Sequence, residues 1–526
     1  MSYLSIYYLF LVIPAVVIIY SIVPKKFRYI FLLLVSFALF FYISKKLIVI
    51  LFITILTTYI SALFINKLEE KKELLLNNAN SEEKKEIKNK FKFKKKLLLI
   101  IYILINVSFL VAYKYLNFFS INTNLLLKLL HIDYSFKIIR IVAPIGISFW
   151  LLTALSYVID VYNGKVEAEK NPLKVALYIS YFATLIEGPF TRYADIKDSM
   201  FAGNNVTYDN LCRGYQRIMF GLFKKMVIAD RLNILVKIVF DNYIEFSGFS
   251  SLLGTIAYTV MLYMEFSGTM DVVIGSSEIL GINIKENFRQ PFFSKNISEF
   301  WTRWHISLGT WFRDYIFYPI SLSKPMKKLT ISARKKLGNH FGPLISGSIA
   351  LFVVWFLNGL WHGAGYTFLA FGLFHFLMIL LGNIFTPLII KICNKLNINR
   401  ENIIYRVFQS IKMAFLVFIG EIFFRADTMQ IALGMIKKIF TDWSIRTGEI
   451  SSLGLDIYDY IALLIGITFV FVISIFKEKN IDVRNEISKK PVAVRWALYY
   501  ILIFSIFLLG AFGHGYVPVD PMYADF

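Results

Sequence analysis

Residues 343–365 read Pro343-Leu-Ile-Ser-Gly-Ser-Ile-Ala-Leu-Phe-Val-Val-Trp-Phe-Leu-Asn-Gly-Leu-Trp-His-Gly-Ala-Gly365. The part before His362 is apolar, free of charge and close to the length of about 20 residues that a helix needs to cross a bilayer. An ionisable side chain at membrane depth should face the interior of a helical bundle or a water-filled cavity. The stretch therefore predicts a membrane-spanning helix that carries a candidate functional residue, His362, at its end.

Apolar runs of this kind extend along the whole chain of 526 residues. Hydrophobic residues make up 57% and charged residues 17% of the sequence, whereas ordinary globular domains have about 45–50% and about 25%. We therefore predict an all-α polytopic membrane protein with about ten to twelve transmembrane helices, together with amphipathic and re-entrant helices. The regular runs are 3–23, 29–43, 47–65, 97–119, 343–361, 364–384, 405–424, 457–477 and 493–512.

The centre of the chain is less regular. Apolar runs near 142–161, 173–186, 218–240 and 249–265 are interrupted by polar residues, glycine and proline, among them Pro144, Glu187, Gly188, Pro189, Lys224, Lys225, Asp230 and Glu265. Such groups are tolerated at membrane depth where protein or a water-filled cavity surrounds them. We expect broken helices here, lining a funnel rather than facing lipid.

The positive charge follows the membrane pattern. Lys and Arg exceed Asp and Glu by 57 to 35, and they fall in short blocks between the apolar runs. A nucleic-acid-binding protein would carry them on a water-exposed domain, so the positive-inside rule explains them better and no nucleic-acid partner is expected. Segment 66–96, with eleven Lys against six Glu, is predicted to be a cytoplasmic loop. Three helices precede it, which places the amino terminus outside the cytoplasm.

His362 has neighbours that favour a chemical role. Asn358 lies four residues earlier, on the same face of a helix, and we expect it to orient the imidazole or to donate a hydrogen bond to an oxyanion. Gly359, Gly363 and Gly365 would let another backbone or a ligand approach closely. His375 also lies in an apolar run, but on a continuous helix it would face away from His362, and we predict a structural role for it.

A second candidate, His305, follows a predicted helix start. Asn296 is a suitable N-cap with Glu299 three residues on, and a continuous helix from there would place His305 on the same apolar stripe as Leu308 and Phe312. Segment 285–340 holds eleven Lys or Arg against three acids, and we expect an amphipathic, cytoplasm-facing element. The histidines have no metal-ligand spacing, and Cys212 and Cys393 form no CxxC pair, so no metal site is predicted.

Two motifs together resemble a known family. Phe300-Trp-Thr-Arg-Trp-His-Ile-Ser-Leu-Gly-Thr-Trp-Phe-Arg-Asp-Tyr315 and Asn358-Gly-Leu-Trp-His-Gly363 are similar to motifs of the membrane-bound O-acyltransferase (MBOAT) family, in the bacterial branch that includes alginate O-acetyltransferase and the D-alanyl transfer protein of teichoic acid modification. Other segments agree in order: 144–150, 156–160, 188–189, 221–230 and 265–271. The ordered resemblance covers about residues 138–440.

The resemblance implies a single integral membrane domain over 1–526. It would consist of N-terminal transmembrane helices (1–137), a catalytic core (138–440) with helices around a central tunnel, and C-terminal transmembrane helices (441–526). His362 matches the family's active-site histidine and His305 its second histidine near the cytoplasmic mouth. Asn358, Trp304 and Trp361 would support them. The tail from His514 to Phe526 would lie outside the cytoplasm.

The resemblance also implies the reaction. An acyl group, acetyl by preference, would pass from a cytoplasmic thioester, acyl-CoA or an acyl-carrier protein, to an extracytoplasmic acetyltransferase or small membrane partner, and then to a polysaccharide or cell-wall polymer. Arg303 and Arg313 are candidates for binding the donor's phosphates. No permanently bound cofactor is expected, and the location would be a bacterial plasma membrane. D-alanyl transfer from a carrier protein, or a glycan or ion transporter without acyl transfer, remain as alternatives.

Overall fold

The computed structural model describes residues 3–139, 141–444, 446, 448–512, 516 and 518–519. Within these ranges every regular element is a helix. The predicted extracytoplasmic tail from residue 514 lies outside the described residues except at 516, 518 and 519. The α-helices are α1 Ile13–Ile22, α2 Arg28–Ser44, α3 Ile48–Asn77, α4 Ser81–Leu110, α5 Leu116–Leu129, α6 Ile147–Tyr162, α7 Pro172–Ser180, α8 Tyr193–Phe201, α9 Tyr208–Phe223, α10 Asp230–Asp241, α11 Gly248–Ile279, α12 Ile297–Arg303, α13 Ile306–Phe312, α14 Tyr318–Ser321, α15 Lys324–His362, α16 Tyr366–Lys395, α17 Ile403–Arg425, α18 Met429–Thr441, α19 Ile457–Glu478, α20 Val483–Ser488 and α21 Val492–Leu509.

Eight helical segments of the described chain are long and apolar enough to cross a membrane. The first, Lys25–Asn77, contains both α2 and α3, and two shorter apolar helices, Tyr8–Ile22 and Ile147–Tyr162, come in addition. The predicted all-α, multi-pass membrane protein is therefore confirmed. The number of candidate spans in the described chain, eight, is lower than the predicted ten to twelve. The others are Ser81–Leu129, Gly248–Ile279, Lys324–His362, Tyr366–Lys395, Ile403–Arg425, Ile457–Glu478 and Val492–Leu509.

The contacts divide the chain into two compact units. The first contains the residues up to Cys212 together with Ser276–Lys285, and the second contains Arg213–Gly275 and the described residues from Glu286 onward. Both candidate histidines belong to the second unit. The division at residues 137 and 440, which follows from the resemblance, stays a prediction.

In the first unit, segment 66–96 is helical, and the prediction of a loop there was wrong. Helix α3 continues to Asn77 and α4 begins at Ser81, so that a short turn separates them. Asn80 caps α4, because its side chain accepts from the Glu83 N–H while the Glu83 carboxylate accepts from the Asn80 N–H. Lys and Glu are also good helix formers, and Lys95 pairs with Glu69 of the other helix at 2.6 Å.

The break predicted around Glu187 and Pro189 is confirmed in the same unit. Helix α7 ends at Ser180 and residues 181–192 have no regular helix, although most of them are buried. Their backbone groups find protein partners: the Tyr3 hydroxyl donates to the carbonyl of Phe182 at 2.8 Å and accepts from the Ile186 N–H at 2.9 Å. Irregular backbone is thus tolerated because protein surrounds it.

The breaks predicted at Lys225, Asp230 and Glu265 in the second unit are absent, and that expectation was wrong. Helices α9 and α10 are joined by a π-helical turn, Lys224–Ala229, and α11 runs without interruption through Glu265. The charges are accommodated because each carboxylate has a cation beside it: Lys225 lies 2.7 Å from Asp230 and 3.1 Å from Glu265, all three buried. A paired, hydrogen-bonded charge can remain buried within a regular helix.

Helix α15 changes direction at Gly338. The basic part of its sequence lies before this residue and the apolar part after it. This residue has φ 80° and ψ −177°, a conformation outside the helical region that glycine adopts without a Cβ penalty. The chain folds back there, since the hydroxyls of Thr330 and Ser346 hydrogen-bond across the turn. The helix that leads to His362 therefore starts after Gly338, close to the predicted boundary of the apolar run.

Candidate active site

His362 is the last residue of α15, where two helices approach closely. A Cβ at Gly359 would lie 2.5 Å from the carbonyl oxygen of Phe368, and one at Gly363 would lie 2.1 Å from the Phe368 ring. The prediction that these glycines permit close approach is thus confirmed. At Gly365 the nearest atom would be 3.5 Å away, an ordinary contact. The tight turn that ends α15 therefore depends on Gly359 and Gly363.

The His362 imidazole is 6% exposed and surrounded by aromatic rings. Its ring centre lies 4.8 Å from that of Trp361, 5.0 Å from that of Phe424 and 5.8 Å from that of Phe371. These rings come from α15, α16 and α17. The apolar run thus ends on a histidine that points into the bundle rather than outward, as the sequence predicted.

Asn358 is buried on the same helix, one turn before His362. In the described part of the chain its Oδ1 accepts no hydrogen bond, so this oxygen is not engaged with the imidazole. A buried amide oxygen without a donor is costly. Asn358 therefore offers an acceptor beside His362 that a hydroxyl or amide N–H of a substrate could fill, and its catalytic role stays a prediction.

His305 does not lie on a continuous helix, and the helical-face argument for it was wrong. Helix α12 begins where predicted, with Asn296 Oδ1 accepting from the Glu299 N–H at 2.9 Å, but it ends at Arg303. Trp304 is extended and His305 adopts a left-handed conformation, φ 46° and ψ 51°, before α13 starts at Ile306. Such a conformation costs a non-glycine residue about 1–3 kcal/mol and tends to occur at functional sites.

Asn287 holds this break in place. Its backbone carbonyl accepts from the Ile306 N–H at 2.9 Å, and its Oδ1 accepts from the Ser307 N–H at 3.0 Å and hydroxyl at 2.8 Å. The same oxygen lies 3.3 Å from Nδ1 of His305. Because a backbone N–H fixes Oδ1 as the acceptor, Nδ1 of the neutral imidazole must be its N–H donor. Nε2 is then the nitrogen that carries the lone pair.

Burial keeps the His305 imidazole uncharged. The residue is 3% exposed, and desolvation lowers its pKa to about 3. Burial in apolar surroundings shifts the pKa of a histidine in this direction, because it disfavours the charged form. A base this weak removes protons poorly near neutral pH, so His305 is better suited to accept a hydrogen bond than to carry a proton.

Trp361 brings the two histidines together. Its ring centre lies 5.8 Å from that of His305 and 4.8 Å from that of His362. Trp304 supports the His305 side from a buried aromatic cluster, with ring centres 5.2 Å from Phe288 and 5.4 Å from Phe300. The structure thus assembles both predicted histidines and both predicted tryptophans in one region of the second unit.

The two predicted arginines have different surroundings. Arg303 bridges two carboxylates, Glu299 at 2.7 Å and Glu478 at 2.8 Å. The Arg313 side chain is 53% exposed and pairs with its neighbour Asp314 at 3.0 Å. The charge of Arg303 is therefore already balanced within the protein, whereas Arg313 is open to a ligand on one side.

Asn287 is the residue that sequence reasoning missed. It lies in the connection between α11 and α12, residues 280–296, outside the motifs that the sequence offered. It also borders a cavity of about 40 Å³ that is lined in addition by Lys224, Tyr263 and Lys477. Among the described residues, no three His, Cys, Asp or Glu side chains form a group that could hold a metal ion.

Comparisons of the sequence with known proteins find similarity to acyltransferases. Residues 85–333 match the sequence model of MBOAT, the membrane-bound O-acyltransferase family. A "Probable alginate O-acetylase AlgI" of Pseudomonas syringae pv. tomato is 32% identical over 349 residues, 66% of this chain and 61% of its own. The peptidoglycan O-acetyltransferase of Helicobacter pylori is 30% identical over 307 residues, 53% of this chain and 54% of its own.

A third relative is the teichoic acid D-alanyltransferase of Bacillus subtilis, 31% identical over 249 residues, which are 47% of this chain and 60% of its own. The chain thus spans less than two thirds of the length of each of these relatives. The segment matched by the family model contains His305 and ends before His362. The predicted role of His362 therefore rests on its motif and on its surroundings in the structure.

Proposed function

We propose that this chain, which carries a domain of the membrane-bound O-acyltransferase family, transfers an acyl group from a thioester donor to a hydroxyl. The observation that carries the proposal is the placement of His305 and His362, distant in sequence, against the single indole of Trp361. The motifs around both histidines are those through which the sequence resembles the family. A scaffold without chemistry would not need two buried imidazoles at one point.

His362 acts as the general base in this proposal. The hydroxyl oxygen of the acceptor attacks the thioester carbonyl while the imidazole takes the hydroxyl proton. The new C–O bond forms, the C–S bond breaks, and the proton passes from the imidazolium to the departing thiolate, which returns His362 to its neutral form. A positioned imidazole contributes about 10²–10⁴ in rate to such a step, and Asn358 is placed one turn away to hold the reacting groups.

His305 serves as the second histidine and positions the donor. Its Nδ1–H is committed to Asn287, so Nε2 can accept a hydrogen bond from an amide or hydroxyl of the thioester's arm. Its low pKa keeps this acceptor available at any physiological pH. The left-handed backbone fixes the direction in which the imidazole projects, since the turn is held by hydrogen bonds from both sides.

The donor is a cytoplasmic acetyl thioester, and acetyl-CoA is the first choice. Two relatives that support this are named for O-acetylation, of alginate and of peptidoglycan, and the third is named for D-alanyl transfer to teichoic acid. Transfer would proceed through an extracytoplasmic acetyltransferase or small membrane partner toward an exopolysaccharide or cell-wall polymer. D-alanyl transfer from a carrier protein is the competing donor chemistry.

Labelled donors test the proposal. Purified protein in proteoliposomes is given [¹⁴C]acetyl-CoA inside or outside, or D-[¹⁴C]alanyl carrier protein, and label is followed in released acid and in added hydroxyl acceptors. We expect transfer or hydrolysis from acetyl-CoA that is lost in His362→Ala and kept in His340→Ala, since His340 is an exposed histidine outside both motifs. Equal turnover in His362→Ala, or uptake of a glycan without thioester cleavage, would refute it.

The orientation in a bacterial plasma membrane follows from charge. The helical hairpin that contains segment 66–96 carries eleven Lys against six Glu in that segment, and the positive-inside rule puts it in the cytoplasm with the amino terminus outside. A membrane-impermeant amine reagent should modify Lys85 in inverted vesicles and leave it unmodified in intact cells. Modification in intact cells would reverse the proposed topology.

A further inference from the structure

One helix of the second unit carries positive charge that the described chain does not balance. This basic helix, residues 324–337, is the part of α15 before Gly338. Between Asp314 and Glu401 the sequence has nine Lys or Arg and no Asp or Glu. Six of these cations belong to the basic helix, and all six residues are exposed: Lys324, Lys327, Lys328, Arg334, Lys335 and Lys336.

The ion pairs among the described residues involve none of these six cations. The carboxylates at the two ends of the acid-free stretch have other partners. Asp314 pairs with Arg313 at 3.0 Å, and Glu401 pairs with Arg406. The basic helix therefore presents its charges to its surroundings rather than to the rest of the chain.

Most of the cations share one face of the basic helix. At about 100° per residue, five of them lie within about 60° of Ile331, which is itself 60% exposed. The opposite face packs inward, since Ala333 is 7% exposed and Leu329 is partly buried. The exposed face thus consists of one apolar side chain surrounded by Lys324, Lys327, Lys328, Arg334 and Lys335.

The basic helix packs beside the start of a membrane-spanning helix. The chain turns back at Gly338, and the Thr330 hydroxyl hydrogen-bonds to that of Ser346 after the turn. At 1.5 Å per residue, residues 339–362 extend over about 36 Å, more than the hydrocarbon thickness of about 30 Å. The first turns after Gly338 can therefore lie at the level of the lipid headgroups, and the basic helix is held against these turns.

An exposed apolar stripe follows on the other arm of the same hairpin. Phe341, Ile345 and Ile349 are 41%, 39% and 41% exposed. Their four-residue spacing places them on one face of the helix, where a membrane-spanning segment contacts lipid. The hairpin thus combines lipid-facing apolar residues with a neighbouring row of cations, which is the pattern of a segment at a membrane surface.

We propose that the basic helix binds the anionic headgroups of the adjacent leaflet, with its cations against the phosphates and Ile331 between them. Four to eight Lys or Arg on an amphipathic helix are typical of such binding. From Lys324 to Lys335 the cations extend over about 16 Å of one exposed face, so they fit a surface of many phosphates better than one small ligand. The interaction fixes the hairpin that leads to His362 at the membrane, and it does not depend on the proposed acyl transfer.

The reaction rates of the lysines in nanodiscs test this surface. Full-length protein is placed in dioleoyl phosphatidylcholine, with or without dioleoyl phosphatidylglycerol, and an uncharged amine reagent is followed at each lysine by mass spectrometry. We expect Lys324, Lys327, Lys328 and Lys335 to react about fivefold more slowly with phosphatidylglycerol, because one cation at the surface gains about 1 kcal/mol. High salt should remove the difference. Lys437 and Lys479, exposed lysines outside the basic helix, are the internal references.

A double variant tests whether the cations act together. Lys327→Gln with Lys335→Gln should speed the reaction of Lys324 and Lys328 in phosphatidylglycerol, because the face that holds the headgroups has lost two of its charges. Lys437→Gln with Lys479→Gln is the matched control, since it removes the same charge elsewhere and should leave both rates unchanged.

Three results would exclude the proposal. Equal rates in the two lipids would show that the basic helix does not meet the headgroups. Slowing of Lys437 and Lys479 to the same extent would show a general effect of membrane charge. Slowing by acetyl-CoA or an acidic carrier protein in phosphatidylcholine, without slowing by phosphatidylglycerol, would assign the face to the donor instead. The first comparison uses the unaltered chain, so it stands even where the double variant fails to fold.

Discussion

The indole N–H of Trp301 donates a hydrogen bond to Nδ1 of His375 across 3.3 Å. Trp301 is in α12 and His375 in α16, so this bond joins the helix that ends just before His305 to the helix that follows His362. The ring of Phe371 lies against both His375, at 4.7 Å, and His362, at 5.8 Å. His375 therefore lies at the junction of the two histidine segments, and the structural role predicted for it stays a prediction.

Removing the acceptor at His375 should destabilise the protein. In His375→Leu the half-buried Trp301 N–H loses its partner, which costs up to about 1–3 kcal/mol. His375→Asn keeps an oxygen near the position of Nδ1 and should recover much of this loss. Thermal unfolding in detergent, followed by tryptophan fluorescence, measures both. Equal destabilisation of the two variants would show that ring packing, rather than the hydrogen bond, is what matters.

Asn287→Asp should raise the pKa of His305. A carboxylate in place of the amide lies about as close to Nδ1 as the 3.3 Å of Asn287 Oδ1 and favours the protonated imidazole. In protein labelled with ¹³C-histidine, the His305 signal of the unaltered chain should not titrate between pH 5 and 8. In Asn287→Asp the pKa of His305 should shift toward this range. Asn287→Leu serves as the comparison without charge, and a wild-type signal that titrates near pH 6.5 would contradict the assignment.

The low pKa of His305 also predicts how stability depends on pH. The unfolded chain binds this proton near pH 6.5, and the folded protein does so at about pH 3. Between these values the unfolded state holds more protons, so the stability present above pH 6.5 is lost as the pH falls. The slope from this group approaches about 1.4 kcal/mol per pH unit. His305→Gln should unfold with a weaker dependence between pH 6.5 and 5, and an identical slope would exclude His305 as the source.

Two glycines near His362 should differ in their tolerance of alanine. Gly363→Ala would place a Cβ 2.1 Å from the Phe368 ring, whereas Gly365→Ala would make ordinary contacts at 3.5 Å. Overpacking of this kind costs about 1–3 kcal/mol and would displace the end of α15. We expect acyl transfer to be lost in Gly363→Ala and kept in Gly365→Ala. Acyl-transfer assays on protein quantified by size-exclusion chromatography distinguish a displaced histidine from an unfolded chain.

The features that the sequence predicted well are those set by local chemistry. The apolar run up to His362, the N-cap at Asn296 and the close approach at Gly363 all depend on residues within one or two helical turns. Each leaves a direct pattern: a length of apolar residues, a short polar side chain before a helix, or a missing Cβ.

The features that it predicted poorly depend on distant partners. The chain breaks at His305 because Asn287, eighteen residues earlier, supplies acceptors for the turn, and no glycine or proline announces it. Conversely, α11 continues through Glu265 because Lys225, in the turn between α9 and α10, pairs with its carboxylate. In both cases the backbone is decided by a tertiary contact that local propensity does not contain.

The two arginines proposed to bind the donor can be separated by their effects. Arg303 is held between Glu299 and Glu478, so Arg303→Gln leaves two carboxylates without their cation and should lower the melting temperature. Arg313 is half-exposed and has one carboxylate beside it, so Arg313→Gln should leave the free energy of unfolding within about 0.5 kcal/mol of its original value, as surface substitutions do.

If Arg313 attracts the phosphates of coenzyme A, its loss should raise KM for acetyl-CoA more at low than at high salt, because screening weakens exposed charges. Arg334→Gln, another exposed cation of the same basic segment, controls for net charge. An unchanged KM in Arg313→Gln would leave the donor's phosphates to other cations of this segment.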